Sequence, residues 1–187
     1  MGNRKIIIAV TGASGSAYAR RTLEALAAEK GLAEIALIVS GNGRDVAQWE
    51  GVDLVTAGTV IKTYSKNDMF APPASGSADY DAMVIVPCSM GSAGRIASGV
   101  SADLIGRAAD VMLKERRKLI MVVRETPLST IHLRNLTALS ECGAIVMPAS
   151  PSFYSRPGDI GELCDTVVER IMKMLGFSGD RYRWGSV

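Results

Sequence analysis

The sequence predicts an α/β protein with a parallel sheet of five to six strands that is covered on both faces. Five short apolar runs rich in Ile and Val alternate with longer segments of helical periodicity, as expected for strands buried on both faces. Each run ends in a loop of small, polar or charged residues. Because ligands bind beyond the carboxyl ends of strands in such sheets, we expect one site built from five loops.

The predicted strands are residues 6–10, 35–39, 83–86, 119–123 and 144–147. Helical periodicity and capping residues predict helices at about 16–30 and 41–50, from about Ser89, at 102–116, after an N-cap at Ser129, and at 160–175 before Gly176. Residues 56–79 are predicted to be irregular. Their prolines and apolar residues favour a lid or a contact arm over a passive connection.

Length and composition predict a single domain over residues 1–187. Hydrophobic residues make up 48% of the chain, and its mean hydropathy is +0.18. A fully buried parallel sheet explains part of this apolar content. An extensive subunit interface explains the rest, since obligate interfaces resemble a divided core.

Several classes of protein are disfavoured by the same composition. No apolar run approaches the ~20 residues that span a bilayer, and a net charge of +2 provides no basic footprint for nucleic acid. The three cysteines are far apart and match neither a disulfide framework nor a zinc pattern. We therefore expect a cytoplasmic protein with no membrane span, no nucleic-acid partner and no metal.

The first loop, residues 11–16, places small residues between a strand and a helix. Such a loop suits a phosphate or a ring lying against backbone N–H groups, although it also suits a tight turn without a ligand. It is neither a GxGxxG motif nor a P-loop. Because Ser40 and residues 89–92 occupy neighbouring strand ends, we favour an anionic ligand of mononucleotide size.

Charged residues near the strand ends suggest how such an anion is held. Arg124 and Glu125 directly follow an apolar strand, where they contact a ligand or form a mutual ion pair. Arg170 and Arg107 lie near the apolar sides of their helices. Each is either a phosphate ligand or a surface arginine whose aliphatic part packs against the protein. With no DxD or acidic cluster to hold magnesium, Arg, Lys and backbone amides must bind any phosphate.

Two further residue types are interpreted as structural. The single histidine, His132, follows the Ser129 cap and excludes sites with several histidine ligands, and it makes a Ser-His-Asp triad a poor explanation. Cys88 is interpreted as a small buried residue, since no neighbour in the sequence lowers its pKa.

Six motifs together are similar to the flavin prenyltransferase (UbiX-like) family, and they cover almost the whole chain in order. They are TGASGS at 11–16, NDMFAPPASGS at 67–77, VPCSMGS at 86–92, GRAADVMLKERRKL at 106–119, VVRETPLSTIHL at 122–133 and PSFYSRP at 151–157.

The resemblance implies a three-layer αβα sandwich of the flavodoxin or Rossmann type. It also implies a homo-oligomer, a dodecamer, that binds FMN. Its reaction joins a dimethylallyl group from dimethylallyl monophosphate to N5 and C6 of reduced FMN, and a UbiD-type decarboxylase receives the prenylated FMN. Two alternatives stay open. One is a flavin-dependent decarboxylase or oxidoreductase on the same fold, and the other is a non-catalytic FMN carrier.

By position, the resemblance also implies roles for individual residues. Ser14, Glu50, Glu125 and Lys114 carry the catalytic role, with Glu125 in proton transfer and Ser14 positioning N5. The prenyl phosphate is bound by Tyr154, Arg170, Arg107 and Lys114, in a pocket closed by two or three subunits. The FMN ligands are Gly12, Ala13, Ser14, Ser40, Ser89, Met90, Gly91, Ser92 and Arg124.

Overall fold

The computed structural model describes residues 4–54 and 60–177. The domain prediction also covers residues 1–3, 55–59 and 178–187, which lie outside the described residues. In chain order the elements are β1 (Arg4–Val10), α1 (Ser16–Ala27), β2 (Leu32–Val39), α2 (Gly41–Trp49), β3 (Ile61–Tyr64), 3-10 turns at Pro72–Ala74 and Gly76–Ala78, β4 (Ala82–Cys88), α3 (Met90–Ala97), α4 (Leu104–Lys114), β5 (Lys118–Val123), α5 (Thr130–Glu141), β6 (Ile145–Pro148) and α6 (Ile160–Leu175).

The six strands form one parallel sheet in the order β3-β2-β1-β4-β5-β6. Ile8 on β1 pairs with Leu37 on β2 and with Val84 on β4. The strand order reverses between β1 and β4, so the loops after these two strands diverge to opposite sides of the sheet. Ligand sites in open parallel sheets lie at such a reversal.

Helices cover both faces of the sheet, which confirms the predicted αβα sandwich. Ile6 and Ile8 lie in one core with residues of α1 and α6. Ile7 and Ala9 lie in a second core with residues of α3, α4 and α5. Successive strand residues point to opposite faces, and here both faces are buried, so residues 6–10 of β1 are apolar at every position.

The segment predicted to be irregular, residues 56–79, contains a strand that the sequence analysis missed. Strand β3 has only four residues, and Lys62 and Thr63 at its centre are exposed. It pairs with β2 alone, at the edge of the sheet. An edge strand with two polar central residues lacks the apolar run that revealed the other five.

Helix boundaries also differ from the predictions. Helix α1 ends at Ala27 rather than near residue 30, and α4 begins at Leu104 after an Asp103 N-cap rather than at 102. On α5, Leu133 has the helical spacing of the buried Leu136 and Leu139 but is itself 51% exposed. Helix α5 is packed against the protein on one side only, and its buried residues are Leu136 and Leu139.

The predicted helix caps are confirmed. Ser129 caps α5, accepting from the N–H of His132, whose Nδ1 in turn accepts from the N–H of Ser129. This capping box accounts for the only histidine of the sequence. Gly176 ends α6 in the left-handed conformation.

Within residues 4–54 and 60–177, no helix is both long enough and apolar enough to cross a membrane.

Candidate functional site

The loops at the carboxyl ends of five strands are joined by hydrogen bonds into one continuous edge. Each loop begins with a backbone group bonded to the next strand of the sheet. The bonds are Ser40 N–H to the Val10 carbonyl at 2.9 Å, Thr11 N–H to the Pro87 carbonyl at 3.2 Å, Arg124 N–H to the Cys88 carbonyl at 3.2 Å, and Ala149 N–H to the Val123 carbonyl at 2.8 Å.

Thr11 is a residue of this edge that the sequence analysis did not single out. Its side chain is buried, donating to the Pro87 carbonyl at 2.8 Å and accepting from the N–H of Ser89 at 2.8 Å. Thr11 therefore fixes the first loop against the loop after β4, across the reversal in strand order. No sequence signal distinguishes it from other small loop residues.

The first loop requires its two glycines for different reasons. A Cβ on Gly12 would lie 2.5 Å from the Cβ of Asn42, so Gly12 permits close packing against α2. Gly15 has φ of 109°, and a Cβ there would also lie 2.9 Å from the ring of Tyr18. The loop can therefore follow this path only with glycine at both positions.

Glu50 holds the start of α1 from the end of α2. Gly15, the N-cap of α1, offers no side-chain cap. Instead the Glu50 carboxylate accepts from the N–H of Gly15 at 2.9 Å and of Ser16 at 2.7 Å. Burial alone raises the pKa of Glu50, but hydrogen bonds from the Ser14 hydroxyl and these two N–H groups outweigh it and hold the pKa below its usual value. Glu50 is therefore ionised at neutral pH and oriented towards Ser14.

A buried hydroxyl lies beside this carboxylate. Ser16 is 1% exposed, and its side chain contributes to lowering the pKa of Glu50, although among the described residues its Oγ has no partner at good hydrogen-bonding geometry. Unpartnered buried polar atoms are rare in folded proteins. The start of α1 therefore has spare hydrogen-bonding capacity at the carboxyl edge.

The first turns of α2 and α3 lie at the same edge. Ser40 caps α2 by accepting from the N–H of Gly43 at 3.0 Å, and Ser89 caps α3 by accepting from the N–H of Ser92 at 3.3 Å. A Cβ on Gly41 would meet no atom within 4 Å, and one on Gly91 would meet only Arg95, at 3.8 Å. Both turns therefore offer backbone N–H groups and hydroxyls to open space, which are suitable donors for a phosphate.

Arg124 and Glu125 are both exposed at this edge. Within the described residues no salt bridge joins them, so the ion pair considered from the sequence does not form. The Glu125 carboxylate accepts only from the N–H of Thr126, at 3.1 Å. Both charges are thus directed to the outside of the edge, where a ligand or another subunit can reach them.

Lys114 lies near the amino ends of the strands, at the end of the sheet opposite the carboxyl edge. It ends α4 and pairs with Glu115, just before β5 begins at Lys118. Strand β5 has six residues, a length of roughly 20 Å. Lys114 of one chain is therefore separated from Arg124 and Glu125 of that chain by about the length of the strand.

Arg107 lies in the first turn of α4, directly after Gly106. Its Nε donates to the Ala74 carbonyl at 3.0 Å, and its Nη1 pairs with Asp110 at 2.7 Å. Ala74 ends the first 3-10 turn, within the PPASGS motif. In a single chain, Arg107 thus supports the predicted contact arm.

Arg170 lines a separate cleft of about 520 Å³ along α6. Ser152 and Ser155, on the loop that carries the exposed Tyr154, form its other wall. Arg21 of α1 also lines it, bound to Asp165 at 2.5 and 2.6 Å. Tyr154 and Arg170, two of the four residues predicted to bind the prenyl phosphate, therefore belong to neighbouring elements, outside the first loop.

Other reactive groups are poorly suited to catalysis. Burial raises the pKa of the Cys88 thiol to about 12, so the thiol is not a nucleophile at neutral pH. In the part of the chain that the structure describes, no group of three or more His, Cys, Asp or Glu side chains is arranged to hold a metal ion.

Comparison with known proteins matches the family described as Flavoprotein over residues 1–176. The flavin prenyltransferase UbiX of Methanocaldococcus jannaschii is 45% identical over 98% of this chain and 100% of that protein. A crystal structure of AnUbiX (PadA1) in complex with FMN and dimethylallyl pyrophosphate has a TM-score of 0.87, with 38% identity over 99% of each chain. A dodecameric FMN-dependent UbiX-like decarboxylase from Escherichia coli O157:H7 has a TM-score of 0.88, with 34% identity over 97% of this chain and 100% of the other.

Proposed function

The chain belongs to the UbiX-like flavin prenyltransferase family, and we propose that it joins a dimethylallyl group from dimethylallyl monophosphate to N5 and C6 of reduced FMN. The observation that carries this proposal is the carboxyl edge. There an ionised Glu50 orients Ser14 at the start of α1, beside two further helix starts with open N–H groups. When bound, reduced FMN supplies the nucleophilic atoms that accept the dimethylallyl group.

The residues at this edge fit a flavin mononucleotide. The small residues Gly12 and Ala13 leave backbone against which a flat ring can pack, and Ser14 lies next to them. Ser40 and residues 89–92 supply hydroxyls and N–H groups for a phosphate. Arg124 adds a cation that has no salt-bridge partner among the described residues.

Catalytic roles follow from the charge state of each residue. Because its pKa is lowered, Glu50 acts as a hydrogen-bond acceptor that fixes the Ser14 hydroxyl rather than as a proton donor. Glu125 is exposed at the same edge, with one backbone donor. It is the group that takes up the proton that the reaction releases.

Binding of the prenyl phosphate requires more than one copy of the chain. Arg170 lines the cleft along α6, and Tyr154 lies on the loop whose Ser152 and Ser155 form its other wall. Lys114 and Arg107 lie on α4, on the other face of the sheet. A second subunit that brings its α4 against the carboxyl edge supplies the missing cations. A pocket closed between subunits also excludes water from the reacting allyl group.

We propose a dodecamer, as its E. coli O157:H7 relative forms, with a UbiD-type decarboxylase receiving the prenylated FMN. Large exposed apolar residues support extensive assembly: Trp49 is 93% exposed, Phe70 100% and Phe153 70%. Isolated apolar residues are common on surfaces, but several on the loops of one chain are typical of interfaces.

The test is mass spectrometry of the flavin released after anaerobic incubation of the protein with reduced FMN and dimethylallyl monophosphate. We expect a flavin heavier by one five-carbon unit. A parallel incubation with dimethylallyl diphosphate determines which donor is used. Recovery of unmodified FMN with both donors would contradict the prenyltransferase proposal and favour the decarboxylase or carrier alternatives.

A further inference from the structure

Arg95 is a charged residue at the carboxyl edge to which neither the motifs nor the family resemblance assigns a role. It belongs to the last turn of α3, but its side chain reaches back along the helix. Its Nη2 donates to Ser92 Oγ at 3.2 Å, and its Nη1 would lie 3.8 Å from a Cβ on Gly91. The guanidinium is therefore placed over the first turn of its own helix.

Three helix starts meet at this guanidinium. Arg95 lines a shallow recess together with Ser40, the N-cap of α2, and Ser92 in the first turn of α3. Asp103, the N-cap of α4, and Gly106 in its first turn complete the recess. A helix start carries partial positive charge, so an anion in this recess would be attracted both by the three helix starts and by the exposed Arg95 guanidinium.

The protein itself provides Arg95 with little balancing charge. Arg20, Arg21, Arg107 and Arg117 each form a salt bridge with a carboxylate. Arg95 forms none with any described residue. Asp103 is the acidic residue of the recess, and its Oδ1 is occupied in accepting from the N–H of Gly106 at 2.9 Å.

A hydroxyl beside Arg95 also has a proton to donate. Ser92 is 4% exposed, and its Oγ accepts from both Ser89 Oγ, at 3.1 Å, and Arg95 Nη2. With its acceptor sites used, Ser92 retains its own O–H, for which no acceptor occurs among the described residues. A buried hydroxyl with a proton left to donate favours an anion at this point.

We propose that Arg95 is a further ligand of the FMN phosphate, acting with Ser92 and the first turns of α2 and α3 to select FMN over riboflavin. This inference rests on the proposed function, because it places the flavin phosphate at the same edge that holds Ser14. A phosphate monoester has the charge and the acceptor oxygens that the guanidinium, the Ser92 hydroxyl and the open N–H groups require.

The experiment compares the affinities of the assembled protein and its Arg95→Ala variant for FMN and riboflavin, measured by quenching of flavin fluorescence. We expect the variant to bind FMN about 10- to 100-fold more weakly and riboflavin with unchanged affinity. Arg95→Lys should recover part of the FMN affinity, since lysine keeps the charge but loses the planar fork. Lys30→Ala is the matched control, because it removes one positive charge from an exposed turn before β2, near the amino ends of the strands. It should change the affinity for neither flavin.

The prenyl donor also carries a phosphate, so its binding must be measured separately. Arg95→Ala should leave the KM for dimethylallyl monophosphate unchanged, whereas Arg170→Ala should raise that KM and leave FMN affinity unchanged. The inference is overturned if Arg95→Ala leaves FMN affinity intact, weakens FMN and riboflavin equally, or acts on the prenyl donor alone. Failure of the wild type to prenylate bound FMN would contradict the proposed function and leave the FMN-to-riboflavin comparison valid.

Discussion

The carboxylate of Glu50 accepts the backbone N–H of Ser16 at 2.7 Å, so the residue that follows α2 caps α1. Helix starts are usually capped by a side chain from the preceding residue, but Gly15 provides none. The conformation of the first loop therefore depends on a residue about 35 positions further along the chain. The same carboxylate orients Ser14, which links the stability of α1 to the proposed chemistry.

Glu50→Gln should slow prenyl transfer much more than it weakens FMN binding. Glutamine keeps an acceptor oxygen but loses the charge that holds Ser14 and the start of α1. We expect the single-turnover rate of flavin prenylation to fall by about 100-fold or more and the free energy of unfolding to fall by about 1 kcal/mol. Glu141→Gln, at the exposed end of α5, is the matched control. An unchanged rate in Glu50→Gln would remove Glu50 from the site.

Gly15→Ala and Gly31→Ala should separate backbone strain from steric conflict. Both glycines have positive φ, of 109° and 91°, but a Cβ on Gly31 would meet nothing within 4 Å, whereas one on Gly15 would press on Tyr18. We expect urea unfolding to show a loss of about 1 kcal/mol for Gly31→Ala and about 1–3 kcal/mol more for Gly15→Ala. FMN affinity should fall only in Gly15→Ala. Equal losses of stability would show that Tyr18 moves aside.

A buried carboxylate far from the proposed site, Glu34 on β2, should make stability depend on pH. Burial alone raises the pKa of Glu34, but hydrogen bonds from Lys62 at 2.7 Å, Tyr80 at 2.5 Å and Tyr64 at 2.9 Å outweigh it and lower the pKa. A group whose pKa is lower in the folded than in the unfolded state stabilises the protein above its unfolded pKa. That stabilisation is lost as the pH falls through the folded pKa.

Glu34→Gln should therefore lower the free energy of unfolding by about 2 kcal/mol at neutral pH. The difference between the wild type and the variant should narrow as the pH falls below about 4.3, the ordinary pKa of glutamate. Urea titrations at several pH values between neutral and the acid limit of solubility measure this difference. Parallel curves for the two proteins would contradict the lowered pKa.

Co-production of two inactive variants should restore activity if Lys114 comes from a second subunit. In assemblies that mix Lys114→Ala and Glu50→Gln chains, about a quarter of two-chain sites combine an intact carboxyl edge with an intact Lys114. Mixing Glu50→Gln with Glu125→Gln is the control, because both residues lie on the edge of one chain and every edge stays defective. Recovery in both mixtures, or in neither, would contradict the shared site.

The strands and long helices were predictable because burial on both faces forces apolar residues at every strand position, and helices repeat their apolar residues regularly. The exception, β3, pairs on one side only and keeps Lys62 and Thr63 exposed. Leu133 shows the opposite error, in which an apolar residue at helical spacing is exposed, at the side of α5. Periodicity identifies a helix but does not determine how wide its covered side is.

The edge that holds Ser14, Ser40 and the turn after β4 was predictable because parallel strands end together. The roles of Thr11 and Arg95 were not, because each depends on a side chain meeting a partner from another strand or an earlier helical turn. The separation of Lys114 from that edge follows from the direction of α4, which runs opposite to the strands. Motif spacing alone does not show which residues come from another copy.

The hydrogen bonds between successive strand ends also affect the kinetics of ligand exchange. Since Thr11 and Ser40 are already bonded to their neighbours, the entropy of ordering these loops is lost during folding and not when a flavin arrives. The association rate constant of the flavin should then be insensitive to substitutions along the carboxyl edge. Variants that bind the flavin more weakly should differ from the wild type in the dissociation rate constant. The residence time of the bound flavin is thus the property that these loops set.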